Sequence, residues 1–335
     1  MRSTPMLDQY GLLKQEAGDA ILLYRLGDFY EMFFEDAEVA APLLGLVLTA
    51  RHKDSDIEAP MCGVPHHALD AYVAKLVTAG KKVAIAEQTE APGKGKTIVA
   101  RKIVRILTPG TIVDPERLDA RRPSELAGAT AGALAFLDVS TGEFTAVPLE
   151  NGTSAAEILG RRLPKEVVAF PSEADAVRGW LDGLVPEAPV LSVLSSESPR
   201  GRSAADVLLR HFGTSTLEAF GLPESGAAVD AAAALLQYAK TTQRSECAHV
   251  LSLRTERPDE GLVVDAVTAG HLELFRSQRD GGRKGSLLDV LDRTSTSFGA
   301  RALRRMLERP LSRIEPIEAR LHAIEELLEE PARLE

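Results

Sequence analysis

Hydrophobic periodicity predicts alternating helices and strands up to about residue 240, and helices with little strand signal from about residue 262. The chain begins with a helix near 5–17, which Thr4 and Pro5 start, followed by a strand over 20–26. The same reasoning predicts helices at 35–44 and 66–79, and extended segments at 46–50, 82–86 and 103–107. Strands that alternate with helices indicate a mixed α/β domain.

A second α/β region follows the charged run 116–125. The apolar segment 133–139, the turn Ser140–Gly142 and the segment 143–147 predict a β-hairpin. Later elements are predicted as helices near 154–163, 174–184, 203–212 and 227–240 and as strands over 167–170 and 190–194. The chain stops at Glu335 immediately after an amphipathic run, 315–330, so we expect an N-terminal piece of a longer protein.

Composition narrows the class of protein. A length of 335 residues predicts two or three domains, because one hydrophobic core seldom organises so long a chain. The two cysteines lie far apart in sequence and offer no disulfide framework, which favours a reducing compartment. No apolar run reaches the ~18 residues of a membrane span, and the N-terminus lacks a signal peptide. We therefore expect a cytoplasmic location and no membrane partner.

The segment Gly27–Glu31 places an aromatic ring and a carboxylate two residues apart. In an extended backbone, Phe29 and Glu31 share a face and Tyr30 points into the domain. A flat ring beside a carboxylate suits a probe that wedges between bases in a minor groove and tests a base edge. Aromatic residues also fill the buried faces of strands, so these residues alone leave both interpretations open.

The segment Tyr24–Phe33 resembles the mismatch-recognition motif of the MutS family of DNA mismatch repair proteins. In that motif the Phe of Phe-x-Glu stacks on a mispaired or unpaired base and the Glu hydrogen-bonds to it, so the resemblance assigns these roles to Phe29 and Glu31. Further segments are similar to family landmarks in family order: Met61–Ala68, Glu87-Gln88, Arg105–Thr111, Leu137–Phe144, Leu235–Gln243, Thr294–Arg301 and Arg309–Leu311.

The resemblance implies a fold in successive parts. These are a mixed α/β mismatch-recognition domain over 1–112, a linker over 113–125, a ribonuclease H-like α/β connector domain over 126–242, and the beginning of an all-α core or lever domain over 243–335. The implied partner is duplex DNA that contains mismatches or small insertion loops, bound by a bacterial, nucleoid-associated protein. A MutL-type repair partner at the connector and a homodimeric full-length protein are also implied.

The family also has an ATPase domain near its C-terminus, so the resemblance implies ATP and Mg²⁺ as cofactors of the full-length protein. This chain has no phosphate-binding loop: the nearest match, Glu90–Thr97, carries Glu90 at the first Gly position and precedes a strand. We therefore predict no ATPase activity and no cofactor for this chain. Cys62, His66 and His67 lack the spacing of a closed zinc site, so no metal site is predicted.

The net charge of −10 is unusual for a DNA-binding protein, but its distribution is uneven. Residues 1–112 hold 13 Lys and Arg against 14 Asp and Glu, so most of the acidic excess lies later in the chain. An acid-free window of twelve residues is the best candidate for DNA-backbone contacts, although a solvated basic strand would look the same. Its cations are Lys94, Lys96, Arg101, Lys102 and Arg105.

Two alternatives come from other classes of function. An acid on the first connector strand, Asp138, could hold Mg²⁺ in a nuclease, but no acid on the following strands offers itself clearly as a second ligand. A hairpin-stabilising role for Asp138, ahead of the Ser-Thr-Gly turn, is the simpler interpretation. The acidic region 113–335 could instead serve chiefly as a docking module for a repair partner.

Overall fold

The computed structural model describes residues 4–51, 59–89, 99–111, 124–149, 154–184, 188–256, 261–262 and 264–329. The chain divides into two compact units, Met1–Arg117 with Leu236–His249 and Leu118–Leu235 with Val250–Glu335. Most of the predicted linker lies outside the described residues. Among the helices that the structure describes, none is long and apolar enough to cross a membrane.

The first unit contains a six-stranded mixed sheet with the order β3-β4-β2-β1-β5-β6. Strands β1 and β5 are parallel and the other neighbours are antiparallel. Its elements are α1 (Pro5–Ala17), β1 (Ile21–Leu26), β2 (Phe29–Phe33), α2 (Phe34–Leu44), β3 (Thr49–Arg51), β4 (Ala59–Pro65), a 3₁₀ turn (His66–Ala68), α3 (Leu69–Thr78), β5 (Val83–Gln88) and β6 (Arg101–Leu107).

The predicted first helix is confirmed, and its ends show why it forms there. The Thr4 side chain accepts a hydrogen bond from the Leu7 amide at 3.3 Å, and Pro5 fills the first turn, where a missing N–H costs nothing. Gly18 ends the helix with a φ of +62°, a conformation that favours glycine. Helix α1 packs on one face of the sheet, and α2 and α3 pack on the other.

A buried carboxylate joins three elements of this unit. Asp36, near the start of α2, accepts hydrogen bonds from the Tyr10 hydroxyl at 2.8 Å, the Leu22 amide at 3.0 Å and the Lys14 ammonium at 2.7 Å. Since all three donors lie on α1 or β1, the carboxylate stabilises the packing of α1 and α2 around the first strand. Desolvation and the nearby Asp36 raise the pKa of Tyr10 far above its ordinary value.

The second unit also contains a six-stranded mixed sheet, with the order β11-β10-β7-β8-β9-β12. Strands β7, β8 and β9 form an antiparallel meander, β10 is parallel to β7 and β11, and β12 is parallel to β9. Its elements are β7 (Glu125–Thr130), β8 (Ala133–Asp138), β9 (Glu143–Pro148), α4 (Ala155–Arg162), β10 (Glu166–Ala169), α5 (Ala174–Leu181), β11 (Val190–Val193), α6 (Arg202–Phe212), a 3₁₀ turn (Glu218–Phe220), α7 (Ala227–Gln243, of which the residues from Leu236 onward belong to the first unit), β12 (Arg254–Thr255), α8 (Ala266–His271), α9 (Leu287–Leu291), α10 (Ser297–Glu308) and α11 (Ile314–Glu329).

The predicted hairpin over 133–147 is confirmed, but three strands, β4, β7 and the two-residue β12, were not predicted. Strand β7 begins at Glu125, where the sequence suggested only the end of a linker, and β4 occupies Ala59–Pro65. Both are rich in small residues or contain Pro and Gly, so neither shows the β-branched and aromatic pattern that marks a strand. Each lies inside its sheet with a neighbour on both sides, so tertiary pairing supplies what local preference lacks.

Candidate nucleic-acid interface

The candidate site is the hairpin formed by β1 and β2. Leu26 pairs with Phe29, leaving Gly27 and Asp28 as the two-residue turn. Gly27 has a φ of +58°, which a tight hairpin turn requires at this position and which favours glycine. The Arg25 guanidinium donates from Nε to the Gly27 carbonyl at 2.6 Å, and the His66 amide donates to the Asp28 carbonyl at 2.8 Å. These bonds fix the turn from which the site extends.

Strand β2 turns the Phe29 ring to solvent. The exposed fraction is 47% for Phe29 and 1% for Tyr30, while Glu31 is half-buried and Met32 and Phe33 are fully buried. The predicted alternation, with Tyr30 in the body of the domain, is therefore confirmed. Core packing, the other interpretation of the Phe29 ring, is excluded by this exposure. A large exposed ring on a strand whose next aromatic residues are buried is available for a partner.

The Glu31 carboxylate has a partner within the chain that the sequence did not indicate. Arg51, the last residue of β3, donates from Nη1 to the Glu31 carboxylate at 2.9 Å. Burial raises the pKa of Glu31, while the positive charges of Arg51 and then Arg101 act in the opposite direction. The predicted extended segment stopped at residue 50, one residue before Arg51, and nothing in the spacing linked positions 31 and 51.

The buried neighbour Tyr30 supports the hairpin from beneath. Its hydroxyl hydrogen-bonds to the Glu87 carboxylate, and desolvation followed by Glu87 raises the pKa of Tyr30 to about 12. The Arg25 guanidinium lies 5.2 Å from the centre of the Tyr30 ring, and the His66 ring stacks on it at 6.1 Å. His66 thus has a packing role, as does the fully buried Cys62, whose Sγ is 3.6 Å from the Ala37 carbonyl oxygen.

The structure describes three of the five cations that were predicted to contact the DNA backbone. Lys94 and Lys96 lie outside the described residues, whereas Arg101, Lys102 and Arg105 lie on β6, at the edge of the first sheet. The Arg101 guanidinium donates to the Arg25 and Val99 carbonyls at 2.6 and 2.7 Å and lies 4.5 Å from the centre of the Tyr24 ring. Lys102 is exposed, and Arg105 is half-buried.

In the second unit, Asp138 stabilises its own hairpin. Its carboxylate is 1% exposed and accepts hydrogen bonds from the Ser140 amide at 2.9 Å, the Ser140 hydroxyl at 2.5 Å and the Ser124 amide at 3.2 Å. Arg301 Nη1 lies 3.6 Å away. The structural interpretation of Asp138 is therefore confirmed. Among the residues that the structure describes, no group of three His, Cys, Asp or Glu side chains could hold a metal ion.

A second polar cluster, which the sequence did not reveal, lines a cavity of about 440 Å³ in the second unit. Arg162, at the end of α4, binds the Glu125 carboxylate and donates to the Thr145 hydroxyl at 3.1 Å. Arg309 is paired with Glu256 at 3.3 Å. Most of these charged groups form ion pairs with one another, so the cluster links helices to the sheet within this unit.

These features define the class of protein: two units, each built on a six-stranded mixed sheet with helices, and in the first of them an exposed ring and a half-buried carboxylate on one surface hairpin. Comparison with protein families assigns residues 4–116 to MutS domain I, 124–251 to MutS domain II and 267–335 to MutS domain III. The chain belongs to the MutS family.

Individual relatives agree with the family assignment. The chain is 44% identical over 330 residues to the DNA mismatch repair protein MutS of Myxococcus xanthus, 41% over 331 residues to that of Syntrophobacter fumaroxidans, and 42% over 341 residues to that of Symbiobacterium thermophilum. These alignments cover 97 to 98% of this chain but only 37 to 38% of each relative. The chain therefore spans a little more than a third of the length of these relatives.

Proposed function

We propose that this chain is the mismatch-reading and connector portion of a DNA mismatch repair protein. The observation that carries the proposal is the exposed Phe29 ring on the same strand face as the Glu31 carboxylate, in a chain of the MutS family. Phe29 inserts from the minor groove beside a mispaired or unpaired base, and Glu31 hydrogen-bonds to that base. Lys94, Lys96, Arg101, Lys102 and Arg105 supply contacts to the DNA backbone.

Phe29 and Glu31 distinguish mismatched from perfectly paired DNA through the deformability of the duplex. A mispaired step stacks poorly, so unstacking and kinking it costs less than the few kcal/mol that a paired step requires. One aromatic wedge can therefore serve many mismatches, whereas direct readout of base edges would be specific to a few. The carboxylate lowers affinity among phosphates, so its presence is explained by a hydrogen bond to the base.

The remaining parts of the proposal concern the longer protein. We infer that the second sheet is a ribonuclease H-like connector that binds a MutL-type partner, and that α8 to α11 begin an all-α lever. In the full-length homodimer, mismatch binding is coupled to ATP and Mg²⁺ at a domain beyond this chain, and the chain alone does not hydrolyse ATP. A cytoplasmic, nucleoid-associated location follows from this role.

The test is binding at low salt to a duplex with one G·T mismatch or one unpaired T, compared with the perfect duplex. We expect the parent chain to prefer the mismatched duplexes and Phe29→Ala to lose that preference, because the wedge is gone. Phe34→Ala is the matched control: it removes a ring of similar exposure, 44%, from the same unit, and we expect the preference to remain. Equal, salt-sensitive binding of every duplex by the parent would contradict the proposal for this chain.

The alternatives receive less support from the residues. A nuclease centred on Asp138 would need converging carboxylates, but its oxygens are occupied by the Ser124 and Ser140 donors. A pure docking module would bind a partner protein with no preference among duplexes, so the same binding experiment separates it from a mismatch reader.

A further inference from the structure

The ion pair between Arg51 and Glu31 spans three strands of the first sheet. Glu31 lies on β2, Arg51 ends β3, and β4 runs between them. The Glu31 side chain leans across β4 at Gly63, its cross-strand partner: a Cβ added at Gly63 would lie 3.5 Å from the Glu31 Cγ. Because Gly63 has no side chain, the carboxylate can cross the strand and meet the guanidinium.

Few other charged groups of the described part of the chain act on the carboxylate. Besides Arg51, these are the Arg101 guanidinium on β6 and the Tyr24 hydroxyl on β1. Arg101 is engaged by the Arg25 and Val99 carbonyls, and the Tyr24 hydroxyl donates to the Gln9 side chain at 2.6 Å. Among the residues that the structure describes, Arg51 is therefore the one hydrogen-bond donor to the Glu31 carboxylate.

We infer that Arg51 is the positioning residue for Glu31: it holds the carboxylate toward β3 in the DNA-free chain and yields it when a mispaired base offers a donor in its place. This inference rests on the proposed function of Glu31. The carboxylate side chain is only 15% exposed, and the arginine 33%, so the pair is partly shielded and the exchange of partners has a free-energy cost.

The exchange makes Arg51 a determinant of specificity. While the pair is intact, the carboxylate is neutralised and repels phosphates less, so the chain can scan duplex DNA. A correctly paired base has its hydrogen-bond donors engaged by the opposite base, so it cannot replace the Arg51 guanidinium as a donor to the Glu31 carboxylate. A mispaired base with a free donor can compete, so Arg51 sets the threshold at which Glu31 engages.

The experiment compares Arg51→Gln, Arg51→Lys and Glu31→Gln, and the double variant of Arg51→Gln with Glu31→Gln. Lys102→Gln is the control, because it removes an exposed cation of the same unit that has no contact with Glu31. Two quantities are measured: the pKa of Glu31 in the DNA-free chain, from the NMR shift of its side-chain carboxyl carbon, and the ratio of affinities for G·T-mismatched and perfect duplex as a function of pH.

In Arg51→Gln we expect the pKa of Glu31 to rise, because burial is then less opposed, and the mismatch preference to fall roughly two- to fivefold, the range for a partly exposed ion pair. As the solution is acidified, the mismatch preference of Arg51→Gln should begin to fall at a higher pH than that of the parent chain, because Glu31 is then protonated at a higher pH. Arg51→Lys should restore part of both properties. Lys102→Gln should weaken binding to both duplexes equally and leave the pKa of Glu31 unchanged.

The double variant separates positioning from a phosphate contact. If Arg51 acts through Glu31, removing it in the Glu31→Gln background leaves the mismatch preference unchanged. An equal loss of preference in both backgrounds, or an unchanged Glu31 pKa in Arg51→Gln, would overturn the inference. If instead Phe29→Ala and Glu31→Gln both discriminate like the parent, the proposed function fails, and the pKa comparison still decides whether Arg51 holds Glu31.

Discussion

The ionised side chain of Glu31 is energetically unfavourable at its position on β2. Its neighbour in the strand, Met32, is fully buried in the core, whereas the Glu31 carboxylate loses hydration without entering a dense hydrogen-bond network. Burial is the largest influence on its pKa and outweighs Arg51, so the ionised form is less favourable in the fold than in the unfolded chain. Residues that weaken the fold in this way are typical of functional sites.

Replacing the Glu31 carboxylate tests the free-energy cost of burying its ionised form. The pKa of Glu31 is raised in the folded chain, so the unfolded chain releases this proton first as pH increases, and the stability of the parent falls through that window. We expect Glu31→Gln, which lacks this proton, to be at least as stable as the parent at pH 7 and to lose the advantage near pH 4. Urea unfolding followed by circular dichroism from pH 4 to pH 7 measures it. A variant that becomes relatively less stable as pH rises would mean that Arg51 outweighs burial.

At the scale of elements, a close approach of helix and strand organises the second unit. A Cβ added at Gly128 on β7 would lie 2.7 Å from the Ala231 carbonyl oxygen and 3.0 Å from the Leu235 Cβ on α7. Helix α7 is rich in alanine for the same reason, since small side chains let its backbone lie against the sheet. The Ala-rich helix and the glycine of β7 are therefore two halves of one packing arrangement.

A methyl group at this contact should be costly. We expect Gly128→Ala to destabilise the second unit by about 1–3 kcal/mol, because the backbone carbonyl cannot move aside as a flexible side chain would. Gly179→Ala in α5 is the matched control: its added Cβ meets nothing within 4 Å, so helix preference should stabilise the unit by about 0.5–1 kcal/mol. Fluorescence of Trp180, the single tryptophan, follows urea unfolding of this unit. Equal midpoints for the two variants would contradict the packing argument.

At the scale of the whole molecule, charge and thiols are distributed unevenly. Most of the acidic excess of the chain lies after residue 112, so the first unit, which contains the β1–β2 hairpin, carries little of the net negative charge. The chain has two cysteines, and both are buried in the first unit. Desolvation raises the pKa of the Cys62 thiol to about 11, and it also raises that of Cys247.

These thiols should report the opening of the first unit. At pH 8 we expect both to react slowly with an aromatic disulfide reagent, because they are shielded and almost wholly protonated, and to react fast in denaturant. The rate at increasing urea, measured by absorbance, should follow the loss of structure. Rapid reaction of either thiol in the native chain would contradict the burial on which the expectation rests.

The elements with strong local signals were predicted from sequence and are confirmed. Helix α1 has a capping threonine, a first-turn proline and a terminal glycine, and the hairpin of β8 and β9 has apolar strands around a Ser-Thr-Gly turn. Strands β4 and β7 carry no such signal, because β4 contains two prolines and a glycine and β7 consists mostly of small residues. The exposure of Phe29 followed from the period of a strand, whereas the partner of Glu31 did not.

The sequence by itself determined the family, the mixed α/β class and the face that Phe29 and Glu31 share, because capping, periodicity and motif order are local properties of the chain. Only the tertiary structure decided that Arg51 meets Glu31 across β4, that Arg101 donates to the Arg25 carbonyl, and that Gly128 lies against α7. Such contacts join residues that are 20 to about 100 positions apart. Their distances depend on strand order and register, which no local pattern encodes.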